Sequence, residues 1–300
     1  MLFRSNYRPI TLSSTLAKLM ELMVNPSEDI SDTQFGFRQN RGTAFGCALL
    51  NDLTCYYTAS GSPLFVCALD AQKCFDSIWH GGLFFKLWDK IPIYFWLFMY
   101  NWYCNSRAVV RWNTEYSFQF DITRGTRQGS SLSPSFFNIF LDGLLSQLKA
   151  SQQGVRIGED LVNSFAYADD LTLISPTTTG LQSLIDICAD YARIWRFNFG
   201  IDKSKCMVAG TNPFPDTPRW KLNGAHMETV SEVEVLGCIY NSKCKASRHV
   251  ENRMQKCRQA FYSLRNIGMS YPGLHTHVKT YLWRTVCMPV LTYGMDSVTL

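Results

Sequence analysis

The pattern of apolar and polar positions along the chain predicts strands and helices in one polypeptide. The six apolar residues 64–69 have the length of a buried strand and end at the carboxylate of Asp70. Residues 164–174 place Asp169 and Asp170 between two strand-like flanks, as the tip of a tight hairpin does. Clusters of Gly and Pro separate such segments at residues 61–63, 124–129 and 211–218. We therefore predict an α+β fold.

Two further stretches have the spacing of amphipathic helices. In residues 134–148 the apolar side chains recur every three or four positions, at Phe137, Phe140, Leu141, Leu144, Leu145 and Leu148. We expect this apolar face to cover the sheet. In residues 243–265 seven Lys and Arg residues face one acid, Glu251. Charge alone supports two interpretations equally, a surface for an acidic partner or an ordinary solvated helix face.

Composition and charge narrow the possible classes of function. The chain has 300 residues, 46% of them hydrophobic, which is enough for a sizeable core. No run approaches the roughly 18 apolar residues of a membrane span, and no secretion signal opens the sequence, so we expect an intracellular protein without membrane contact. The net charge of +5 permits nucleic acid as a partner without requiring it. The eleven cysteines include no Cys-x-x-Cys pair, which predicts reduced core thiols rather than a zinc site.

The three aspartates are the candidate catalytic site. Hard cations such as Mg²⁺ prefer carboxylate oxygens and substrate phosphates, and two ions about 4 Å apart stabilise both reacting oxygens of a phosphoryl displacement. Three close carboxylates would repel one another without cations. Each part alone has a plainer explanation, because Asp-Asp pairs are common in turns and an Asp can simply end a strand. Together they predict a site for two Mg²⁺ ions, with Mn²⁺ as an alternative.

An ordered series of motifs resembles the reverse transcriptases of non-LTR retrotransposons. Motifs A, B and C of that family correspond to LDAQKCFDSIWH at residues 69–80, RGTRQGSSLSP at 124–134 and FAYADD at 165–170. Further matches are YRPI at 7–10, QFGFR at 34–38, DKSK (motif D) at 202–205, VLG (motif E) at 235–237 and PVLTYG at 289–294. The resemblance therefore covers nearly the whole chain. It implies a right-hand polymerase of fingers, palm and thumb, with an antiparallel palm sheet packed on helices.

The same resemblance assigns chemical roles. It implies an RNA-directed DNA polymerase that extends a DNA primer on an RNA template with deoxynucleoside triphosphates. The metal ligands and catalytic acids would be Asp70, Asp169 and Asp170. Phe75 matches the bulky residue that excludes a 2′-hydroxyl, although without the motif a core aromatic would be the better interpretation. Lys203 matches the motif D lysine that protonates the pyrophosphate leaving group, with Lys205 as an alternative.

Other candidates concern the nucleotide. Gln128 and Gly129 match a turn that contacts the incoming nucleotide, where a glycine lets the backbone approach a ligand; a plain loop is the alternative. Arg8 is expected to approach the triphosphate, because guanidinium groups suit phosphate oxygens. Arg38 is a weaker candidate for the same contact, and a structural salt bridge is an equal alternative for it.

The basic stretch 243–265 corresponds to the thumb, which grips template and primer backbones through phosphate contacts. Its candidate nucleic-acid contacts are Arg253, Lys256 and Arg258. The resemblance divides the chain into partial fingers (1–63), palm with motifs A–E and interleaved fingers elements (64–240), and partial thumb with the following segment (241–300).

The chain also departs from the family pattern. The endonuclease and further fingers sequence of relatives do not fit before Tyr7, and the spacing over residues 21–34 is short, so we expect a truncated protein with an internal deletion. A catalytically inactive nucleic-acid-binding remnant is therefore one alternative. A group II intron or telomerase-type reverse transcriptase is another, but motifs A and B fit the retrotransposon branch better. Action in the nucleus is expected by analogy with relatives that use chromosomal DNA ends as primers, and the sequence identifies no protein partner.

Overall fold

The computed structural model describes residues 11–12, 14–24, 30–127, 129–210 and 217–297. The helices there are α1 (Thr15–Met23), α2 (Thr43–Ala59), α3 (Cys74–Ser77), α4 (His80–Leu87), α5 (Ile93–Cys104), α6 (Ser133–Ala150), α7 (Thr178–Trp195), α8 (Ser247–Leu264), α9 (Thr276–Leu282) and α10 (Met288–Thr292). The strands are β1 (Leu64–Asp70), β2 (Arg107–Ala108), β3 (Arg111–Trp112), β4 (Glu115–Tyr116), β5 (Phe120–Asp121), β6 (Val155–Ile157), β7 (Asp160–Val162), β8 (Ser164–Tyr167), β9 (Asp170–Ser175), β10 (Lys205–Ala209), β11 (Lys221–Leu222), β12 (Ala225–His226), β13 (Glu228–Val230), β14 (Glu232–Val235) and β15 (Cys238–Asn241). Both element types are mixed along the chain, which confirms the predicted α+β class.

A five-stranded sheet forms the centre of the molecule, with the strand order β13-β10-β1-β9-β8. The apolar run that was predicted to be a strand is β1, and it lies in the middle of this sheet. Its neighbours β9 and β10 are both antiparallel to it, and β8 is antiparallel to β9. The edge strand β13 pairs with β10 in parallel. The sheet is therefore antiparallel except at one edge.

Both faces of β1 are covered by other parts of the molecule. Successive side chains of a strand point to opposite faces, so alternate residues of β1 belong to different clusters. Phe65, Cys67 and Leu69 belong to one hydrophobic cluster, which includes the buried faces of α4, α6 and α7. Leu64 and Val66 belong to a second cluster, in which α2 and the β14–β15 hairpin cover the other face. Burial on both sides explains why the run is continuously apolar rather than alternating.

Helix α6 confirms the predicted amphipathic helix. It begins at Ser133 with a proline in its first turn, where a missing N–H breaks no helical hydrogen bond. All six apolar residues that define the predicted face are buried: Phe137, Phe140, Leu141, Leu144, Leu145 and Leu148. The helix therefore covers the sheet as expected.

The basic stretch forms α8, which packs with the following helices around a third, smaller cluster that contains Cys257, Leu264 and Cys287. Short π-helical turns follow α8 at Arg265–Met269 and α9 at Trp283–Cys287, and a 3₁₀ turn lies at Met295–Ser297. No helix in the described part of the chain is long and apolar enough to cross a bilayer. The domain boundaries at residues 63 and 240 stay predictions.

The thiol prediction is wrong for two cysteines. Cys55 of α2 and Cys244, just before α8, form a disulfide across 189 residues of sequence. The other nine cysteines are free, and eight of them are buried. No spacing rule could have paired Cys55 with Cys244, because the fold alone brings them together.

Candidate active site

Three carboxylates meet at one end of the central sheet, and Asp70, Asp169 and Asp170 are called the acid cluster below. Asp70 ends β1 and pairs directly opposite Asp170, the first residue of β9. Tyr167 also pairs with Asp170, which leaves Ala168 and Asp169 as the two-residue turn of the β8–β9 hairpin. Directly opposite residues of neighbouring strands project from the same face of a sheet. The hairpin predicted from the sequence is confirmed, and it brings the three acids together.

The negative charges of the acid cluster act on one another. Partial burial of the Asp170 carboxyl group raises its pKa to about 6, and the negative charges of Asp169 and Asp70 add to this effect. Part of the residue nevertheless remains exposed. Burial raises the pKa of the Cys74 thiol, and the charges of Asp169 and Asp70 add to this effect. The site therefore concentrates negative charge, an environment that a bound cation would neutralise.

The backbone of Asp70 is fixed by the segment that precedes β10. Its N–H donates to Ser204 Oγ at 3.1 Å, and its carbonyl oxygen accepts the Gly200 N–H at 2.8 Å. In contrast, Asp70 Oδ2 is buried and has no hydrogen-bond partner in the described part of the chain. A buried carboxylate oxygen without a partner is costly, and a coordinated cation would remove that cost.

The donor set of the acid cluster fits a hard cation. Within the described residues, no three His, Cys, Asp or Glu side chains are arranged as a ready-made metal site. Mg²⁺, however, commonly binds through one or two carboxylates and completes its shell with water and substrate phosphates. Asp70 Oδ2, which has no hydrogen-bond partner in the described residues, lies beside two further carboxylates, and this arrangement matches that mode of binding.

The two candidate lysines differ in what they contact. Lys203 Nζ lies 3.8 Å from Asp70 Oδ2, and the lysine side chain is 74% exposed. Lys205 instead lies on β10, where its Nζ is 3.0 Å from Glu228 Oε2 of β13. The structure therefore places Lys203, and not Lys205, beside the acid cluster.

Phe75 lies in α3 and follows Cys74, whose thiol is close enough to Asp169 and Asp70 for their charges to raise its pKa. Its ring stacks on Phe137 of α6 with centroids 4.4 Å apart, and the ring of Phe37 meets it edge-on at 6.2 Å. Its carbonyl oxygen accepts the Thr126 N–H at 2.7 Å. The side chain is only half-buried: one part of it packs against the main hydrophobic cluster, and another part remains accessible.

The motif B turn packs directly against motif A. Gly125 has a φ of +88°, and a Cβ there would lie 2.8 Å from the carbonyl oxygen of Asp76. Only a glycine permits both that conformation and that approach. Gly129 also has a positive φ, +102°. Gln128 and Arg8 lie outside the described residues, so their predicted contacts with the nucleotide stay predictions.

Arg38 makes local contacts. Its guanidinium donates to the Ser31 carbonyl oxygen at 2.8 Å and lies 3.9 Å from a carboxylate oxygen of Asp32. The side chain is 20% exposed. This arrangement favours the structural salt bridge that the sequence left as an alternative.

The three candidate contacts on α8 occupy different environments. Arg253 is 6% exposed, donates to the Gly237 carbonyl oxygen, and places its guanidinium 4.7 Å from the ring centroid of Tyr293. Held in this way it is not available to a phosphate, so we do not retain its role as a nucleic-acid contact. Lys256 Nζ lies 3.9 Å from Glu234, whereas Arg258 is exposed. Both remain accessible to a ligand.

One residue that contacts the β8–β9 hairpin received no role from the sequence. Gln34 belongs to the QFGFR segment, is fully buried, and accepts the Ala168 N–H through Oε1 at 3.1 Å. Its place in a motif was visible, but its contact is with a turn more than 130 residues later in the chain. The sequence therefore carried no signal for this contact.

Comparison with known proteins identifies the family. Residues 4–240 match the family model described as "Reverse transcriptase (RNA-dependent DNA polymerase)". The chain is similar to the RNA-directed DNA polymerase from mobile element jockey of Drosophila funebris, with 28% identity over 97% of this chain and 33% of that protein. It is also similar to the Pol polyprotein from type-2 retrotransposable element R2DM of Drosophila melanogaster, with 26% identity over 97% of this chain and 28% of that protein.

The chain thus spans about a third of the length of these relatives. Among solved structures, the apo telomerase of Candida tropicalis is similar at a TM-score of 0.49 and 12% identity, over 69% of this chain and 39% of that one. The family match over residues 4–240, together with the retrotransposon relatives, shows that this chain belongs to the reverse transcriptase (RNA-dependent DNA polymerase) family, in its non-LTR retrotransposon branch.

Proposed function

We propose that this chain is an RNA-directed DNA polymerase that adds deoxynucleotides to the 3′-hydroxyl of a DNA primer on an RNA template. The observation that carries the proposal is the acid cluster. Asp70 faces Asp170 across two paired strands, Asp169 occupies the adjoining turn, and Asp70 Oδ2 is buried without a hydrogen-bond partner. This arrangement costs stability unless a ligand compensates for it.

The acid cluster would hold the metal ions, with Asp70 and Asp169 as principal ligands and Asp170 beside them. Two bound Mg²⁺ ions, or Mn²⁺, would supply Lewis-acid stabilisation of the attacking and leaving oxygens. Lys203 would give a proton to the pyrophosphate, and the position of its ammonium group, 3.8 Å from Asp70 Oδ2, supports this role.

Substrate choice would rest on Phe75 and the motif B turn. The half-buried ring of Phe75 is held against Phe137, so it cannot easily yield to a 2′-hydroxyl. Gly129, with its positive φ, lets the backbone approach the incoming nucleotide. Gln128 and Arg8 are proposed to contact the same nucleotide.

In the right-hand arrangement, α8 would belong to the thumb and the central sheet to the palm. Exposed Arg258 and partly exposed Lys256 would then contact the phosphates of the RNA–DNA duplex without reading its sequence. Action in the nucleus stays a prediction by analogy with the family.

The test is Mg²⁺-dependent extension of a DNA primer on an RNA template. Asp169→Ala should lower deoxynucleotide incorporation by about 10³-fold or more, because a metal ligand contributes several kcal/mol to the transition state. The matched control is Asp160→Ala, an exposed aspartate in β7 beyond the other end of β8, which should leave incorporation unchanged. Ribonucleotides should be poor substrates.

Two results would contradict the proposal. If Asp169→Ala incorporated deoxynucleotides at the wild-type rate, the acid cluster would not be the catalytic site. Binding of primer–template by the unchanged chain without any incorporation would identify the inactive nucleic-acid-binding remnant instead.

A further inference from the structure

The QFGFR segment lies directly against the hairpin that carries Asp169. Gln34 forms a parallel bridge with Ala166 of β8. The Phe35 N–H donates to the Ala166 carbonyl oxygen at 2.8 Å, and the Ala166 N–H donates to the Thr33 carbonyl oxygen at 2.9 Å. Residues 33–35 therefore continue the sheet beyond β8, and the hairpin has backbone partners on both sides.

The turn of this hairpin holds an alanine in a disfavoured conformation. Ala168 has a φ of +55°, in the left-handed region that residues other than Gly, Asn and Asp rarely adopt. Such a residue costs of order 1 kcal/mol or more and persists only when its surroundings impose it. Asp169 follows Ala168 directly, so whatever holds Ala168 also sets the direction of the Asp169 side chain.

The side chain of Gln34 is one group that holds Ala168. Its Oε1 accepts two backbone N–H groups, those of Ala168 at 3.1 Å and of Gly36 at 2.9 Å. A Cβ at Gly36 would lie only 2.3 Å from the Ala168 nitrogen, so the two segments are in direct backbone contact. Asn138 of α6 completes the arrangement by donating to the Gly36 carbonyl oxygen at 2.9 Å.

This polar network is not the most stable solution for a buried position. Gln34 and Asn138 are 0% and 2% exposed, and Gln34 Nε2 and Asn138 Oδ1 have no hydrogen-bond partner in the described part of the chain. An amide that leaves one polar atom unsatisfied costs stability. The atoms that are satisfied are those that reach the turn and the QFGFR backbone, which points to positioning rather than to stability.

We propose that Gln34 is a positioning residue, which acts through Ala168 to hold the Asp169 carboxylate where it binds metal. The inference rests on the proposed polymerase function but makes a separate demand. Loss of the Gln34 acceptor should weaken metal binding and turnover without removing any ligand. Groups that hold metal ligands in place commonly contribute about 10- to 100-fold to metal affinity or activity.

The experiment compares Gln34→Met with Gln34→Glu. Methionine keeps the length of the side chain and loses the acceptor, whereas glutamate keeps an acceptor oxygen. The matched control is Gln182→Met on α7. Gln182 Oε1 also accepts a backbone N–H, that of Lys221, at 2.9 Å. Gln182 follows the Ser175 end of β9, whereas the acid cluster lies at the Asp170 end. The measurements are kcat, the KM for deoxynucleotide, thermal unfolding, and Mn²⁺ affinity by electron paramagnetic resonance without substrate.

For Gln34→Met we expect kcat to fall and Mn²⁺ affinity to weaken by about 10-fold or more, with KM changed less than about threefold. Gln34→Glu should recover most of the loss in kcat, which depends on the position of Asp169 and not on added negative charge alone, and Gln182→Met should show neither loss. If Gln34→Met folds poorly, the double variant with Ala168→Gly tests the same point, because glycine adopts a positive φ without strain. Its stability should recover while the kcat and Mn²⁺ defects persist.

Three results would overturn the proposal: unchanged kcat and Mn²⁺ affinity in Gln34→Met, recovery of both together with stability in the double variant, or equal losses in Gln182→Met. Failure of the polymerase proposal is distinguishable from these. If the polymerase proposal failed, the wild-type chain would incorporate no deoxynucleotide. The Mn²⁺ affinities of the wild-type chain and of Gln34→Met would then still test the role of Gln34. An unchanged chain that binds no Mn²⁺ would refute both proposals.

Discussion

The acid cluster and the junction between α8 and the β14–β15 hairpin both carry charged residues that the family motifs connect with nucleic-acid chemistry. In the acid cluster, like charges face one another and Asp70 Oδ2 has no hydrogen-bond partner in the described residues. In the junction, the buried guanidinium of Arg253 donates to Gly237, although its Nε has no hydrogen-bond partner in the described residues, and the His249 ring bridges the backbones of Ile239 and Tyr293.

This difference separates a site for a ligand from a structural junction. Like charges that are held close together destabilise the fold until a cation binds, whereas the Gly237 carbonyl oxygen and the Tyr293 ring stabilise the Arg253 guanidinium. Substitutions in the acid cluster should therefore remove activity without loss of stability. Substitutions in the junction should do the reverse.

The largest expected effect is at Asp70. Asp70→Asn should lower incorporation by about 10³-fold or more, because it removes a proposed metal ligand. The free energy of unfolding in metal-free buffer should stay nearly the same or rise. The repulsion that is lost next to Asp170 offsets the loss of the exposed ion pair with Lys203, which contributes at most about 1 kcal/mol. Primer extension and urea unfolding, each with and without Mg²⁺, check both parts.

The matched control for Asp70→Asn is Asp121→Asn. Asp121 is an exposed aspartate of β5 that pairs with Arg107 at 2.9 Å. An exposed pair contributes between zero and about 1 kcal/mol, so this variant should lose neither activity nor much stability. A clear loss of stability in metal-free Asp70→Asn would contradict the interpretation of the acid cluster as a strained site.

The next effect compares two arginines of the same helix. Arg253→Ala should lower the free energy of unfolding by about 2 kcal/mol, because it removes a charged hydrogen bond to Gly237 and the contact with Tyr293. Arg258→Ala should change stability by less than about 0.5 kcal/mol, but it should reduce the salt dependence of primer–template binding by about one ion.

Urea unfolding and binding at several salt concentrations measure both quantities. The opposite pattern, in which Arg253→Ala keeps its stability and reduces the salt dependence, would restore Arg253 as a phosphate contact. It would also remove the contrast between the junction and the acid cluster.

The two regions were not equally predictable from the sequence. In the acid cluster, local patterns sufficed: an apolar run that ends at Asp70, and a turn between two strand-like flanks at Asp169. In α8, periodicity gave the helix but not what packs against it. A signal for Arg253 was present, since it lies four residues before buried Cys257 and therefore on the same helix face. Its contacts, Gly237 and Tyr293, could not be inferred from spacing.

Contacts between distant segments account for what the sequence missed. The roles of Gln34 and of the Cys55–Cys244 disulfide depend on segments that are more than 130 residues apart. Such pairs follow from the arrangement of α2, β8 and the segment before α8, and no local pattern encodes them.

The smallest expected effect is a pH dependence of the junction. His249 Nδ1 accepts the Ile239 N–H at 3.3 Å, so its Nε2 carries the proton and donates to the Tyr293 carbonyl oxygen at 3.1 Å. Burial is the largest effect on the pKa of His249 and lowers it, and the positive charges of Arg253 and Lys256 lower it further. The hydrogen bond to Tyr293 and the negative charge of Glu234 raise the pKa, but they do not cancel the lowering. The folded protein therefore favours the neutral ring.

A histidine whose pKa is lowered on folding contributes stability above its unfolded pKa of about 6.5, and that contribution is lost as the pH falls further. The stability difference between the unchanged chain and His249→Gln should thus be largest at pH 7.5 and shrink towards pH 5.5. The matched variant His226→Gln, at an exposed histidine of β12 outside the junction, should change the free energy of unfolding by less than about 0.5 kcal/mol. Urea unfolding midpoints measure these differences. If the His249 difference were independent of pH, the ring would not be held neutral, and the junction would stabilise the fold through the arginine contacts alone.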